Sequence, residues 1–365
     1  MGRREKVALV LVAALVGVAG AAFLMLDGGG DDRGQGNRRR GSDRSESRGP
    51  DPVAVRPAGD GLALGTLTVA DDVRRCPAGS TCNVVDVSCP GLQESIRGFV
   101  SRAEASGDPR GLVMFFGGGP GKQWYSGSGS DPQGAFARLQ SEGMDIVQVR
   151  WGGQGWLRAA DGEEVGPAQL ACRSATVINW VHDTWYEPLE VAPEPGTCGF
   201  CLTGNSGGAS QITYAITHYG LAEVVDAVIP TSGPPHAELA KGCLANPGDE
   251  AYLFPGSARQ VIDGSYGARG AGGPCSGSDA AFQPSFERDS IETGGSDYQY
   301  PETRVHFIVS PGDETVAVRA RDLADTLRQA GSPWVSLEEI EGMGHDIQES
   351  AEGMEALVAA VLARP

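Results

Sequence analysis

The chain has 365 residues, 40% of them apolar, enough to bury a sizeable core in one large domain with appendages. Its 47 acidic residues outnumber 29 basic ones for a formal net charge of −18, and a body that acidic repels nucleic acid and anionic lipid surfaces. The plainer consequence of the same charge is solubility.

In chain order, residues 7–26 form an uncharged and mostly apolar stretch behind Arg3, Arg4 and Lys6. That length suits a bilayer span and exceeds the hydrophobic run of a usual signal peptide. It predicts an N-terminal membrane anchor over residues 1–26, with a signal sequence cleaved near Ala19-Gly20-Ala21 as the alternative. Residues 27–60 are rich in Gly, Arg, Asp and Ser with almost no apolar content, and read as a disordered linker. Residues 61–365 form the folded domain and carry about −20 of the charge.

Within that domain, short β-rich runs at 62–69 and 84–87 alternate with turn residues, and residues 93–106 are predicted to be a helix. Leu112-Val113-Met114-Phe115-Phe116 is a buried strand that ends in Gly117-Gly118-Gly119-Pro120-Gly121, where bare backbone amides can face a site. A strand over 144–151 and a helix over 168–185 follow. Trp124, Tyr125, Trp151 and Trp156 follow strand ends, either lining a pocket or packing beneath loops.

Residues 199–203 then lead into Gly204-Asn205-Ser206-Gly207-Gly208, a G-x-S-x-G pentapeptide between a strand and a helix over 207–219. Glycines on both sides of a serine allow the sharp turn that lifts its hydroxyl clear of the sheet. After a strand at 224–229, residues 234–301 interrupt the strand and helix alternation with Gly, Ser, Pro and acids, acidic residues outnumbering basic ones more than two to one. So long an insertion reads as a polar cap, unlike the greasy lid of a lipase. His306 belongs to a strand and is assigned to packing, and His182 and His218, on helices, to structural or exposed positions; His236 reads as a solvated loop residue at the start of the cap, with contact to substrate as the alternative.

Val305-His306-Phe307-Ile308-Val309 is a strand that stops at Ser310-Pro311-Gly312-Asp313, presenting a carboxylate at its end. Asp313 is the candidate acid, set against the simpler role of capping the helix over 316–330. A strand at 334–340 leads to Gly342-Met343-Gly344-His345, and a helix at 347–362 closes the domain. His345 is the candidate base. The chain order Ser, Asp, His, with a glycine-rich loop upstream, resembles that of the α/β-hydrolases.

That resemblance implies an α/β-hydrolase fold, a mostly parallel sheet flanked by helices with the cap inserted. Gly118-Gly119-Pro120-Gly121 is also similar to the HGGPG loop of the prolyl and tripeptidyl aminopeptidases, with Gly117 in the place of their His. Arg150-Trp151-Gly152-Gly153-Gln154-Gly155 loosely echoes their DQRGxGxS segment. In this reading Ser206 is the nucleophile, His345 the general base, Asp313 its orienting acid, and the oxyanion hole is built from Gly207 with Gly118 or Gly119. The expected activity is cleavage of an ester or amide in a small-molecule or peptide substrate, without metal or organic cofactor. An aminopeptidase-like enzyme would draw free amino termini beneath the acidic cap; a carboxylesterase and a non-catalytic binding domain are the alternatives.

The eight cysteines, Cys76, Cys82, Cys89, Cys172, Cys198, Cys201, Cys243 and Cys275, point to an oxidising, extracytoplasmic compartment and up to four bridges. Cys243 and Cys275 are expected to pair within the cap. Cys198 and Cys201, about 10 Å apart in an extended chain, are each expected to pair elsewhere, with a zinc or redox role as the alternative.

Overall fold

Alternating apolar side chains on the central strands need cover on both faces, and the computed structural model provides it. It describes residues 61–70, 76–127, 132–269 and 272–364. The N-terminal anchor and linker of the sequence reading lie outside these. Among the described residues no helix is long and apolar enough to cross a membrane.

The first half of the domain contains β1 (Thr66–Ala70), β2 (Thr81–Ser88), β3 (Ile96–Ala103), β4 (Gly111–Phe116), α1 (Pro132–Ser141), β5 (Met144–Trp151), α2 (Pro167–Leu170) and α3 (Cys172–Val181). The second half begins with β6 (Phe200–Asn205), α4 (Gly207–Thr217) and β7 (Ala227–Thr231). The cap helices α5 (Leu239–Leu244), α6 (Gly256–Ser265), α7 (Gln283–Asp289) and α8 (Ile291–Gly294) come next, then β8 (Arg304–Val309), α9 (Glu314–Gln329), β9 (Val335–Glu339) and α10 (Ala351–Leu362). The strands form one sheet in the order β1-β2-β3-β5-β4-β6-β7-β8-β9. β1, β2, β3 and β5 pair antiparallel in succession, while every pairing from β5 to β9 is parallel.

β4 shows how the sequence dictates the layering. Leu112, Met114 and Phe116 pack with α3 and α4 residues such as Val177 and Ile212, while Val113 and Phe115 pack on the other face with Phe136 and Leu139 of α1 and Leu357 of α10. Successive side chains on a strand point to opposite faces, so a strand buried on both sides must be apolar at every position. The chain runs from β4 to β5 on one side and later returns to β6 on the other. This order reversal opens a crevice at the carboxyl ends of β4 and β6, where open α/β sheets bind ligands.

Two expectations are corrected. Residues 93–106 are not a helix: Ile96–Ala103 is β3, paired with β2 and β5, and Arg97 stands opposite Asp86 with its guanidinium 3.1 Å from the carboxylate. Pairing on both edges overrides a local pattern that Arg97, Gly98 and Arg102 made ambiguous. Cys198 and Cys201 do pair, with Cα atoms 5.5 Å apart. Cys198 precedes β6 and lies between bends at Thr197 and Gly199, so the extended-chain spacing does not apply.

The cap bridge forms as expected between Cys243 and Cys275, with Cα atoms 4.5 Å apart. The remaining pairs are Cys76 with Cys82 and Cys89 with Cys172, the latter tying the end of β2 to α3. The cap also has a core of its own, in which Leu239, Phe254, Ile262, Tyr266 and Phe286 surround the Cys243–Cys275 bridge. Its Asp263 and Asp289 are buried and spent on internal bonds: Asp263 accepts from the Cys275 amide at 2.7 Å, and Asp289 from Tyr266 at 2.9 Å.

Candidate active site

Ser206 occupies the turn between β6 and α4 with φ 52° and ψ −115°, a left-handed region that costs a non-glycine residue about 1–3 kcal/mol. Its neighbours explain why the chain stays there. A Cβ on Gly208 would lie 2.2 Å from the Phe116 carbonyl oxygen, and one on Gly207 would lie 2.2 Å from the Gly119 oxygen. The elbow therefore presses directly on the end of β4 and its glycine loop. The Ser206 amide donates to the Thr231 carbonyl at 2.9 Å, fixing the turn against β7 as well.

Gly207 is the first residue of α4, so its amide has no acceptor within the helix. Gly119 lines the same cleft as Ser206 and Gly207; Gly118 lies just behind, where an added Cβ would be 3.7 Å from that of Ser206. The glycine loop is braced from below by tryptophans: Trp156 donates its Nε1 hydrogen to the Gly119 carbonyl at 3.1 Å, and the Trp151 amide donates to Gly121 at 2.8 Å. Tyr125, Trp151 and Trp156 are buried under the loops and do not line the cleft, and Trp124 lies beside the Arg150 guanidinium. Of their two readings, packing is the one the structure bears out.

Asp313 and His345 come together from the ends of β8 and β9, His345 Nδ1 lying 2.5 Å from Asp313 Oδ2. The Asp313 carbonyl accepts the Val316 and Ala317 amides of α9, but its side chain makes no capping bond and is directed to the imidazole instead. That hydrogen bond holds the His345 pKa above its ordinary value, against the opposing effect of burial. Met343, only 4% exposed, packs with Ile347 and Met354 and anchors the loop that carries His345.

Ser206, Gly207, Asp313 and His345 all line one cleft of about 450 Å³. Neither the Ser206 hydroxyl nor His345 Nε2 is hydrogen-bonded to another group among the described residues.

Three residues at the site escaped the sequence reading. Asn205 donates to Asp346 Oδ1 at 3.2 Å and accepts from Thr231 at 3.3 Å, joining the elbow to the loop of His345. Arg319 of α9 is 1% exposed and lines the cleft. Its position was legible, since it falls on the stripe of Val316, Ala320 and Leu323 that faces inward. His236 is corrected: it is 4% exposed, lines the cleft and packs against Trp156 and Tyr214. Burial pushes its pKa down to about 3, so it is neutral. The other histidines are structural, His306 bonding Ser336 at 2.7 Å and His218 bonding Thr217 at 2.8 Å.

No protein-family model matches the sequence, and no curated protein matches it. Among solved structures, a prolyl endopeptidase superposes with a TM-score of 0.51 at 14% identity, covering 80% of this chain, which spans 40% of the peptidase. A bacterial heroin esterase gives a TM-score of 0.48 at 15% identity, covering 78% of this chain and 83% of its own. An esterase from the archaeon Pyrobaculum calidifontis gives 0.45 at 16% identity, with 76% and 82% covered. A parallel sheet reversing at β4, a strained serine between β6 and α4, and the likeness to the prolyl endopeptidase agree, and the chain has the α/β-hydrolase fold.

Proposed function

We propose that the protein is a serine hydrolase that cleaves an ester or amide through an acyl-enzyme. The observation that carries this reading is the contact between Asp313 and His345 in the cleft that also holds Ser206. Ser206 Oγ attacks the carbonyl carbon as His345 removes its proton, and Asp313 holds the imidazole in the tautomer that exposes Nε2 as base. The negative charge that develops on the carbonyl oxygen is received by the amides of Gly207 and of Gly118 or Gly119, each donor contributing about 3–4 kcal/mol. His345 then protonates the leaving group, and water repeats the sequence to release the acid.

Between the subtypes, the cleft wall favours an esterase. Phe254, Pro255, Ala258, Val261 and Ile262 make the cap side apolar, and no acidic cap residue lines it. The preference for free amino termini expected from an acidic cap therefore lacks a carboxylate at the wall. The four disulfides, with residues 7–26, support an extracytoplasmic domain held by an anchor or released after signal cleavage.

Labelling by a fluorophosphonate, lost in Ser206→Ala, tests the enzyme reading; a folded protein that is never labelled would instead be a binding domain. Comparing kcat/KM for a free and an N-acetylated aminoacyl ester tests the subtype. A strong preference for the free amine would restore the aminopeptidase-like reading.

A further inference from the structure

Among the described residues, the cleft contains a cation that no carboxylate pairs with. Arg319 is buried, and two of the five N–H bonds of a guanidinium are committed. Nη1 donates to the Thr315 carbonyl at 2.5 Å and Nη2 to the Tyr252 carbonyl. Nε is buried without a hydrogen-bond partner among the described residues. The Phe254 ring covers one face of the guanidinium at 4.2 Å.

Neighbouring acids do not complete an ion pair. Glu238 is taken by Lys241 at 2.9 Å, Asp322 accepts from the Tyr252 hydroxyl, and Asp313 is bonded to His345. These carboxylates act on Arg319 from a distance and oppose the effect of burial, which lowers its pKa to about 10 and still leaves it charged at neutral pH. His236 lines the same cleft, and its Nδ1 is a second buried nitrogen with no partner among the described residues.

Burying a charge without an ion-pair partner is costly, and an incoming anion offsets that cost. Arginine offers a planar fork suited to carboxylate. We propose that the substrate carries a carboxylate that binds at Arg319, with His236 beside it, while Ser206 attacks an ester or amide carbonyl elsewhere in the same molecule. The inference deepens the hydrolase reading and rests on it for the reaction, but not for the binding of the anion. The carboxylate can belong to the acyl group, as in a half-ester of a dicarboxylic acid, or to the leaving group, as in an ester of a hydroxy acid or a peptide's carboxyl end.

Two substrate pairs separate these sources. On the acyl side, 4-nitrophenyl hydrogen glutarate is compared with its methyl ester; on the leaving-group side, 4-acetoxybenzoate with 4-acetoxybenzamide. At least one pair should show a tenfold or greater advantage in kcat/KM for the acid, and Arg319→Met should bring that pair within twofold while neutral esters still turn over. Should that variant not fold, Arg319→Lys keeps the charge without the fork and should reduce the advantage. Wild-type protein should also bind benzoate at least tenfold more tightly than benzamide by calorimetry, a measurement that needs neither variant nor turnover. Equal kcat/KM within both pairs, or equal binding of benzoate and benzamide, would overturn the proposal. Absence of both ester turnover and Ser206 labelling would refute the hydrolase reading, leaving calorimetry to decide the Arg319 site.

Discussion

The two sides of the cleft are built differently. On the sheet side, Ser206, Asp313 and His345 follow β6, β8 and β9, with β6 and β8 buried and β9 at the sheet edge. On the cap side, Phe254, Val261 and Ile262 belong to a helical insertion with its own core and its own disulfide. In the hydrolase reading, the difference teaches that the reacting groups and the cap wall of the cleft rest on separately stabilised layers. Damage to one should be readable without destroying the other.

The largest effect expected tests that separation on the sheet side. Ser206→Ala or His345→Ala should lower kcat for an activated ester by roughly five to six powers of ten, with the midpoint of denaturant unfolding nearly unchanged. Retained turnover in either would dissolve the distinction between the two sides. Asp313→Asn should cost about 10⁴-fold. It should also shift the pH profile: because Asp313 raises the His345 pKa, and His345 must be neutral to accept a proton, wild-type kcat/KM should rise with pH through a midpoint above the ordinary histidine value. The variant's midpoint should fall. An unmoved midpoint would mean that Asp313 does not set the charge of the base.

Next in size is the cap bridge. Replacing Cys243 and Cys275 by serine should cost the cap about 4 kcal/mol, as expected for a loop of 32 residues. The substitution should loosen discrimination among acyl groups and leave fluorophosphonate labelling of Ser206 intact. Loss of labelling along with discrimination would show that the cap supports the reacting groups. Gly208→Ala should cost about 2–3 kcal/mol through the clash with Phe116 and should lower turnover, a sheet-side change that acts through backbone alone. The smallest effect is expected from Asn205→Ala, about three- to tenfold in kcat, because it frees the loop of His345 from the elbow without removing a reacting group.

How much of this could be read from the sequence follows the range of the forces involved. The turn at Ser206 was legible because it is set by four adjacent residues, and the positions of Asp313 and His345 because the first follows an apolar strand and the second an alternating one. The parallel strands β4 to β8 were legible from their local apolar runs, and β9 from its alternation. β3 was not, since its conformation is decided by β2 and β5 on either side. The pairing of Cys198 with Cys201 turned on a bend just before β6, below the resolution of composition. Arg319 was visible as a charged residue on an apolar stripe, but whether an acid would answer it depended on where Glu238 and Asp322 found partners. His236 gave no signal, because its burial comes from Trp156 and Tyr214, distant in the chain.

The close approach of Gly207 to Gly119 has a consequence for how the cleft handles charge. With no room for a methyl group between them, the elbow and the glycine loop are in direct backbone contact, which restrains the amides they present. Water would have to reorient around a nascent oxyanion; dipoles locked by contact are already oriented when the charge arrives, so no reorganisation energy is spent at that moment. An oxyanion hole built from these amides would tolerate no side chain at Gly207, where a Cβ has no room. In the hydrolase reading, variation in what is bound would enter through the cap wall and through α9, which carries Arg319.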